Sequence, residues 1–276
     1  SGAGKTQTTK YIMKYISTIS KKTINNIENK ILASNPIIEA FGNAKTLRND
    51  NSSRFGKFVK LLFNQNKELV GAKIDTYLLE KIRVTSPGYN ERNFHIFYIL
   101  LFGLKDSERE KYNLTTNTHY NYTNKTDCYV RNDGVYDVDM YHELMASFKL
   151  LNFSKNEIDT IVRLVSFILN FGNIGTNKDL ESNQNFISLK KLLDHDQNIL
   201  IDYLKYRYIH VNNNTIQIDI TDEEFITIRD TISQNLYLLL FNYVIAKIND
   251  TIKNEYKYFI GILDIFGFEV FEKNEF

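Results

Sequence analysis

The chain begins with residues whose types and order are typical of a phosphate-binding loop, Ser1-Gly2-Ala3-Gly4-Lys5-Thr6. They fill the end of the pattern G-x-x-x-x-G-K-[ST], whose opening glycine would lie two residues before Ser1. Glycines let backbone N–H groups approach phosphate oxygens, Lys5 would reach the β- and γ-phosphates, and the Thr6 hydroxyl would ligate Mg²⁺. The sequence therefore predicts a nucleoside triphosphate ligand and a chain cut through its own site. The alternative is a turn of small residues that caps a helix.

A second candidate segment is polar and rich in functional groups, Asn49-Asp50-Asn51-Ser52-Ser53-Arg54-Phe55-Gly56-Lys57. Serine hydroxyls suit Mg²⁺ or phosphate, and arginine suits bidentate pairing with a carboxylate. We expect this segment to be a loop that leads into a strand. A hydrophilic turn without a function is the alternative that the local sequence leaves open.

A third candidate segment lies near the end of the chain. The apolar run 258–264 is typical of a fully buried strand and ends in Asp264. An acid at the carboxyl end of such a strand is where nucleotide-binding sheets place a partner for magnesium. Gly267 could then offer an unobstructed N–H group to a γ-phosphate. The alternative is a strand that runs into a turn with a solvated aspartate.

Hydrophobic periodicity predicts the elements that position these segments in the first part of the chain. A helix is expected over Thr8–Ile19, with Ile12, Tyr15, Ile16 and Ile19 as its apolar face. A second helix is expected from Ile27 to Ala40, interrupted by Pro36, which could start a new helical segment. The two apolar runs 58–63 and 69–77 predict a β-hairpin, and 92–104 predicts a buried helix.

The remaining sequence predicts more helix than strand. Residues 105–140 are expected to be an irregular surface excursion, 157–171 an amphipathic helix, and 209–220 an exposed hairpin. Thr221 and Glu224 form a capping box that opens a long helix, which is expected to run to about Lys253. No internal repeat is evident, so we expect one continuous α/β body.

Composition narrows the class of protein. A hydrophobic content of 43% and an aromatic content of 13% indicate a globular chain. The net charge of +1 gives no reason to expect a nucleic acid or an anionic membrane as partner. The single cysteine, Cys128, excludes an internal disulfide and fits a reducing compartment. The longest apolar stretches, 96–104 and 236–241, are too short to span a membrane.

Taken together, the three segments resemble those of the myosin motor domain. S-G-A-G-K-T is similar to the end of that family's phosphate loop, G-E-S-G-A-G-K-T. N-D-N-S-S-R-F-G-K is similar to its switch I, and D-I-F-G-F-E to its switch II. The flanking segments N-P-I-I-E-A-F-G-N-A-K-T (35–46) and E-R-N-F-H-I-F-Y (91–98) also match the family, so the resemblance covers the whole chain.

This resemblance implies an α/β fold with a P-loop NTPase motor core and a largely helical upper subdomain, truncated at both ends. Within residues 1–276 it implies a phosphate loop (1–6), switch I (49–57), a mostly helical insert (85–257), and a switch II strand and loop (258–269). The cofactors implied are ATP and Mg²⁺.

The resemblance also implies a role for each matched residue. Ser1, Gly2, Ala3, Gly4, Lys5 and Thr6 would bind the phosphates, Asn49 would contact the nucleotide, and Thr6 and Ser53 would ligate magnesium, which Asp264 would hold through water. Ser52 would lie near the γ-phosphate and the attacking water, and Gly267 would sense the γ-phosphate. Arg54 and Glu269 would form a salt bridge that closes the two switches.

Two residues within the matched motifs, His95 and Phe266, need a separate interpretation. His95 is interpreted as a packed helix residue and not as a catalytic base, because it stands between Phe94 and Phe97. Phe266 stands where conventional members carry serine, and several unconventional classes carry an aromatic residue there. The departure favours an unconventional class.

The partners implied by the resemblance are an actin filament, and light chains or calmodulin bound through regions absent from this chain. It implies a cytoplasmic location on the actin cytoskeleton, with no nucleic acid and no direct insertion into a membrane. The hairpin at 209–220 matches a surface loop that touches actin in the family. Its regulated position falls at Asn214, which lacks the acidic or phosphorylatable group, or at Thr215, which has a hydroxyl.

Two other functions remain as alternatives. A kinesin-like or other P-loop NTPase would share the N-x-x-S-S-R core, but the continuation Phe55-Gly56-Lys57 and the D-I-F-G-F-E segment argue against it. An actin-binding or scaffolding protein without turnover would not need an intact set of Lys5, Thr6, Ser53, Arg54, Asp264 and Glu269. Motor function is therefore predicted for the parent protein, and activity of the chain itself stays open.

Overall fold

The structure is a computed structural model that describes residues 4–19, 26–116, 119–124, 128–178, 180, 186, 187, 189, 192, 198–211 and 214–265. Within the first helix, the side chains of Lys5 and Thr6 are not among the described groups. Helices and strands are mixed along the chain, which agrees with the predicted α/β class.

The first part of the chain folds as two helices followed by four strands. These elements are α1 (Lys5–Ile19), α2 (Ile27–Gly42), β1 (Asn43–Thr46), β2 (Asn49–Ser53), β3 (Gly56–Phe63) and β4 (Leu69–Tyr77). The predicted break at Pro36 is wrong, since α2 continues through it. A proline removes one helical hydrogen bond, and burial of Ile31, Ile37, Ile38 and Phe41 on either side of Pro36 outweighs that loss.

The second part is mainly helical. After a 3-10 helix (Lys81–Val84), the elements are α3 (His95–Gly103), α4 (Asp106–Lys111), α5 (Asn121–Asn124), α6 (Asp137–Leu150), α7 (Lys155–Phe171), α8 (Asn198–Lys205), β5 (Tyr206–Val211), β6 (Asn214–Asp219), α9 (Asp222–Ile252) and β7 (Tyr258–Asp264). The predicted amphipathic helix, the exposed hairpin and the capping box at Thr221 and Glu224 are all confirmed. The buried helix predicted over 92–104 begins three residues later, at His95.

The region 105–140 is more than the surface excursion that its polarity predicts. It contains α4, α5 and the start of α6, and it buries Tyr112, Leu114, Tyr120 and Tyr122. Tyrosine hydroxyls can remain hydrogen-bonded while the rings are buried, as where the Tyr122 hydroxyl donates to Asp230 at 2.7 Å. A polar segment of the sequence therefore contributes several buried side chains to the core.

A three-stranded antiparallel sheet with the order β4-β3-β7 connects the two ends of the chain. In its register, Lys57 lies opposite Asp264 and Phe63 opposite Tyr258. The long helix α9 packs against the β4 edge, where the Asn249 side chain accepts from Ile74 N and donates to Ile74 O, each at 2.8 Å. One amide side chain thus binds both backbone groups of a residue on an edge strand.

The strand β7 is not fully buried, which corrects the sequence-based expectation. Tyr258, Phe259, Ile260 and Leu263 are all at least 45% exposed, whereas Asp264 at the strand end is buried. Among the described residues, β7 pairs with β3 alone, and other elements do not cover both of its faces. The apolar composition of the strand was therefore not sufficient to predict its burial.

The buried face of α1 also differs from the prediction. Thr9 and Met13 are buried and Ile16 is partly buried, while Ile12 and Tyr15 are exposed. Spacings of four and three residues place Thr9, Met13 and Ile16 along one side of the helix. That side bears the apolar contacts of α1, so the predicted stripe was rotated relative to the real one.

The core lies between α9 and the elements that precede it. The ring of Tyr237 on α9 stacks on Phe94 with a centroid separation of 4.9 Å and lies 5.5 Å from Phe97. Its hydroxyl donates to Phe41 O at 2.7 Å. These contacts join α9, α2 and α3 beside the strands that carry the second candidate segment. No described helix is both long and apolar enough to cross a membrane.

Candidate nucleotide-switch site

The segment 49–53 is a strand, β2, and not the loop that its polarity predicts. It pairs with β1 in an antiparallel hairpin whose register shifts between Ala44 and Thr46. At its end, Arg54 N donates to Gly42 O at 2.9 Å. A Cβ atom at Gly42 would lie 2.2 Å from the Phe55 ring, so only glycine permits this close approach. The hairpin β1–β2 is therefore fixed against the end of α2.

Asn51, at the centre of β2, is held by three side chains from other elements. Its Oδ1 accepts from Asn43 Nδ2 at 2.9 Å, and its Nδ2 donates to Glu39 Oε2 at 3.0 Å. His95 Nε2 lies 3.1 Å from the same Oδ1. The donation to Glu39 fixes the orientation of the amide, so Oδ1 faces His95. For this contact with Oδ1 to be a hydrogen bond, Nε2 of His95 must carry the hydrogen, because an oxygen can only accept.

His95 is completely buried, which confirms that it is a packed helix residue. Burial lowers the pKa of His95 well below its ordinary value of 6.5, and the positive charges of Arg92, Arg131 and Arg83 lower it further. The imidazole is therefore neutral, and its Nδ1 has no hydrogen-bond partner among the described residues. Its role in this structure is to hold Asn51.

Arg54 follows β2, and Glu80 and Ser52 both accept hydrogen bonds from its side chain. Its Nε donates to Glu80 Oε2 at 2.6 Å, and its Nη1 donates to Ser52 Oγ at 3.2 Å. The sequence-based partner, Glu269, lies outside the described residues, so the proposed salt bridge stays a prediction. The structure does bring together Ser52 and Arg54, two residues that were expected to act at the γ-phosphate.

A partly buried charge network extends from Arg54 to the turn of the hairpin β1–β2. Glu80 accepts from Arg83 Nε at 2.8 Å, and Arg83 Nη2 donates to Glu91 Oε2 at 2.7 Å. The other oxygen of Glu91 accepts from Leu47 N, in the turn of the hairpin, at 3.3 Å. This series of alternating acidic and basic side chains therefore contacts the turn of the hairpin through Glu91, and Arg54, the residue after the hairpin, through Glu80.

Asn49 and Ser53 mark the two ends of β2. The Oδ1 of Asn49 accepts from Asn51 N at 3.0 Å, so the amide oxygen is turned towards its own strand. The amide of Asn49 is therefore oriented by its own strand. Ser53 is partly exposed.

Asp264 ends β7 next to the strand that follows the hairpin. It pairs in register with Lys57, three residues after Arg54, and it is buried. The end of β2 and the end of β7 are therefore brought to one region through β3. Gly267 and Glu269, which continue from this strand, lie outside the described residues.

The phosphate-loop residues are described in part. Gly4 has φ +77°, a conformation that favours glycine, and α1 begins directly after it, with Thr8 N donating to Gly4 O at 2.8 Å. Ser1, Gly2 and Ala3 lie outside the described residues, and of Lys5 and Thr6 only the helical backbone is described. A glycine that precedes a helix N-terminus agrees with the predicted phosphate loop.

The donor chemistry fits a hard divalent cation. Mg²⁺ prefers oxygen ligands and keeps several waters, and the serine hydroxyl of Ser53 and the carboxylate of Asp264 are such ligands. Among the described residues, no group of three or more histidine, cysteine, aspartate or glutamate side chains could form a metal cage of its own. A magnesium ion at this site would therefore depend on phosphate oxygens and water for its remaining ligands.

Comparison with known proteins assigns the family. The myosin head (motor domain) family matches residues 1–276. The chain belongs to the myosin head family. The resemblance expected from the three sequence motifs is thereby confirmed, and switch I, expected at 49–57, stays a prediction.

Individual myosins are similar over the whole chain. The chain is 39% identical over 295 residues to myosin IB heavy chain of Dictyostelium discoideum and 38% identical over 286 residues to Myosin-3 of Arabidopsis thaliana. It is 38% identical over 291 residues to unconventional myosin heavy chain 6 of Caenorhabditis elegans. All of this chain is covered in each case, together with 26%, 24% and 14% of these relatives. The chain thus spans about a quarter or less of the myosins that it matches.

Sequence reasoning missed the residues that support the hairpin β1–β2 and Arg54. No role was predicted for Glu80 or Glu39. The motif 91–98 did single out His95, but without its contact to Asn51. An alternation of glutamate and arginine over Glu80, Arg83, Glu91 and Arg92 was the available signal, and it does not reveal which partner each residue has.

Proposed function

We propose that the chain is the nucleotide-binding part of an ATP-dependent motor that acts on actin filaments. The observation that carries the proposal is membership of the myosin head family over the full chain. The contact between Ser52 and Arg54, and the pairing of β7 with β3 that brings Asp264 to the same region, support it, because a hydroxyl, a guanidinium and a carboxylate suit the positioning and electrostatics of phosphoryl transfer.

In the proposed reaction, water attacks in line with the γ-phosphate of ATP, and the protein acts by positioning and electrostatics. The backbone of the loop that ends at Gly4, together with Lys5, binds the phosphates. Asn49 donates to the nucleotide through its amide, and Ser52 orients the attacking water. Arg54 supplies a fixed positive charge beside Ser52, from which its Nη1 is 3.2 Å away.

The magnesium site is proposed to consist of Thr6 and Ser53, with Asp264 acting through water. When bound, the ion neutralises charge that develops on the β- and γ-phosphate oxygens. The protein's part is to hold the two hydroxyls and the carboxylate in place. For Ser53 and Asp264 this positioning comes from their places at the ends of β2 and β7.

Release of the γ-phosphate is proposed to open the switches and so drive the motor. Gly267 would sense the phosphate, and the Arg54–Glu269 salt bridge would form only when both switch segments are in place. A small local change of this kind becomes a large one when it biases an element that has two packed arrangements. Actin, and light chains or calmodulin bound through other regions, are the proposed partners, and the actin cytoskeleton of the cytoplasm is the proposed location.

Actin-activated ATPase activity of the full-length protein tests this function. We expect Arg54→Ala and Glu269→Ala each to lower the steady-state rate about 100-fold, because each removes a charged group on which the closed transition state depends. Arg163→Ala is a matched control, since Arg163 forms a surface pair with Asp159 at 2.6 Å away from the switch. We expect that control to retain the wild-type rate.

Two results would contradict parts of the proposal. Normal turnover in both switch variants would rule out the salt bridge as a requirement for hydrolysis. A wild-type protein whose ATPase rate does not respond to actin filaments would contradict the motor function.

A further inference from the structure

Glu80 holds the switch arginine by both its backbone and its side chain. Glu80 N donates to Arg54 O at 2.9 Å, and Arg54 Nε donates to Glu80 Oε2 at 2.6 Å. The whole hairpin β3–β4 separates these residues in sequence. The position of Arg54 is therefore set by a residue outside its own segment.

The carboxylate of Glu80 also balances a second cation. Arg83 Nε donates to the same Oε2 atom at 2.8 Å, and the Arg83 side chain is only 3% exposed. Two guanidinium groups repel each other at this separation, and one ionised carboxylate between them makes the arrangement favourable. Loss of that charge would leave Arg54 beside Arg83 with no carboxylate between them.

Glu80 remains ionised in this environment. Burial would raise the pKa of its carboxyl group, but the hydrogen bond from Arg54 and the positive charge of Arg83 act in the opposite direction and prevail. The pKa of Glu80 is consequently below its ordinary value of 4.5. The charge that holds Arg54 is thus present throughout the physiological pH range.

The far side of the Arg54 guanidinium contacts a residue of the proposed reaction. Arg54 Nη1 donates to Ser52 Oγ at 3.2 Å, and Ser52 is buried. Since Oγ accepts this bond, the hydrogen of the Ser52 hydroxyl points away from Arg54. Glu80, Arg54 and Ser52 therefore form one line of contacts that ends at the hydroxyl proposed to orient water.

We propose that Glu80 is a positioning residue for hydrolysis, which fixes the Arg54 guanidinium and, through it, the Ser52 hydroxyl. The inference rests on the proposed function, because it assigns Glu80 to the same reaction. It adds that Glu80, which follows the hairpin β3–β4, orients Arg54. An arginine held in this way loses less conformational entropy when the proposed salt bridge to Glu269 forms.

The first test needs no turnover. In the full-length protein without nucleotide, hydrogen exchange of the amides in residues 49–54 is expected to rise about fivefold in Glu80→Gln, because local opening becomes easier. Asp75→Asn is the matched control. Asp75 also bridges two cations, Lys60 at 3.3 Å and Lys73 at 3.1 Å, but on β4. Unchanged exchange in Glu80→Gln, or an equal rise in Asp75→Asn, would overturn the hold on Arg54.

The second test uses single-turnover hydrolysis. We expect Glu80→Gln to slow the hydrolysis step about tenfold while nucleotide affinity changes less than about twofold, since positioning affects the transition state more than binding. Because Glu80 acts through Arg54, the double variant Arg54→Ala/Glu80→Gln should be no slower than Arg54→Ala. A purely structural role predicts additive losses and weaker nucleotide binding.

The outcomes separate this inference from the function on which it rests. A wild-type rate in Glu80→Gln, or additive losses in the double variant, would overturn the role of Glu80 while leaving the motor function intact. A wild-type protein that hydrolyses no ATP would contradict the proposed function and the catalytic part of this proposal. The exchange measurement would in that case still confirm or contradict the hold of Glu80 on Arg54.

Discussion

Two hairpins of similar length in this molecule are built in opposite ways. The hairpin β1–β2 is tied to several other elements by the side chains of Asn51, Asp50 and the adjacent Arg54, and by the backbone N–H of Leu47. The hairpin β5–β6 is largely exposed: Tyr208 is 39%, Ile209 43% and Ile216 50% accessible. The first hairpin therefore has its geometry imposed by the surrounding protein, whereas the second keeps its surface available.

The contacts of the exposed hairpin are mostly local. His210 Nδ1 lies 2.9 Å from Thr215 Oγ1 across the pair, and the Tyr208 hydroxyl donates to Asp202 at 2.8 Å. At the base, Ile220 N donates to Lys205 O at 2.8 Å. A hairpin held at its base, with apolar side chains in solvent, is suited to contact another protein. A hairpin held along its length is suited to keep reacting groups in register.

Replacement of Asn51 should expose this difference most strongly. Asn51→Ala removes one side chain and leaves Glu39, Asn43 and His95 without it, and each buried polar group that loses its partner costs about 1–3 kcal/mol. We expect the free energy of unfolding to fall by about 3 kcal/mol, measured by chemical denaturation. Asn214→Ala, at the exposed hairpin, is the matched control and should change it by less than about 0.5 kcal/mol. Equal losses in the two variants would contradict the comparison.

The second largest expected effect is a dependence of the free energy of unfolding on pH, which arises at the hairpin β1–β2. The pKa of His95 is lowered in the folded state by burial and by Arg92, Arg131 and Arg83, whereas the unfolded state has the ordinary value of 6.5. The unfolded state therefore binds more protons below pH 6.5. Stability from His95 is fully present above that pH and is lost as the pH falls towards the folded pKa.

The expected slope is up to about 1.4 kcal/mol per pH unit between about pH 5 and 6.5, a window in which the carboxylates are still ionised. Denaturant unfolding over this range measures it. His95→Gln keeps an N–H donor near the position of Nε2 but cannot titrate, so its curve should lack this slope. His142→Gln, at an exposed position, should retain the wild-type slope. A wild-type slope in His95→Gln would contradict the buried neutral imidazole.

The same contrast explains which features the sequence revealed. The hairpin β5–β6, the helix α7 and the capping box at Thr221 depend on neighbours in sequence, so periodicity and local motifs predicted them. The motifs likewise predicted roles for Ser52, Arg54 and Asp264, and these roles stay predictions. The strand form of 49–53 was missed because the pairing of β2 with β1 makes a strand of a polar segment that lacks apolar alternation.

Partners distant in sequence account for the remaining errors. Nothing local links Glu80 to Arg54 or His95 to Asn51, since each pair forms only after β3, β4 and α3 have packed. The exposure of β7 was likewise a matter of what covers it, which its own apolar composition does not specify. A sequence pattern predicts the chemistry of a residue more reliably than it predicts which residues will surround it in the fold.

The smallest effect is expected at the exposed hairpin. Thr215→Val removes the cross-strand contact with His210 but keeps the β-branched shape, and both partners are solvated. The free energy of unfolding should therefore change by less than about 0.5 kcal/mol, in either direction, as is usual for exposed positions. Thermal unfolding of Thr215→Val, compared with that of Asn51→Ala under the same conditions, measures this change in stability. A loss comparable with that of Asn51→Ala would show that β5–β6 is held as firmly as β1–β2. In that case the two hairpins could not be distinguished by how the protein supports them.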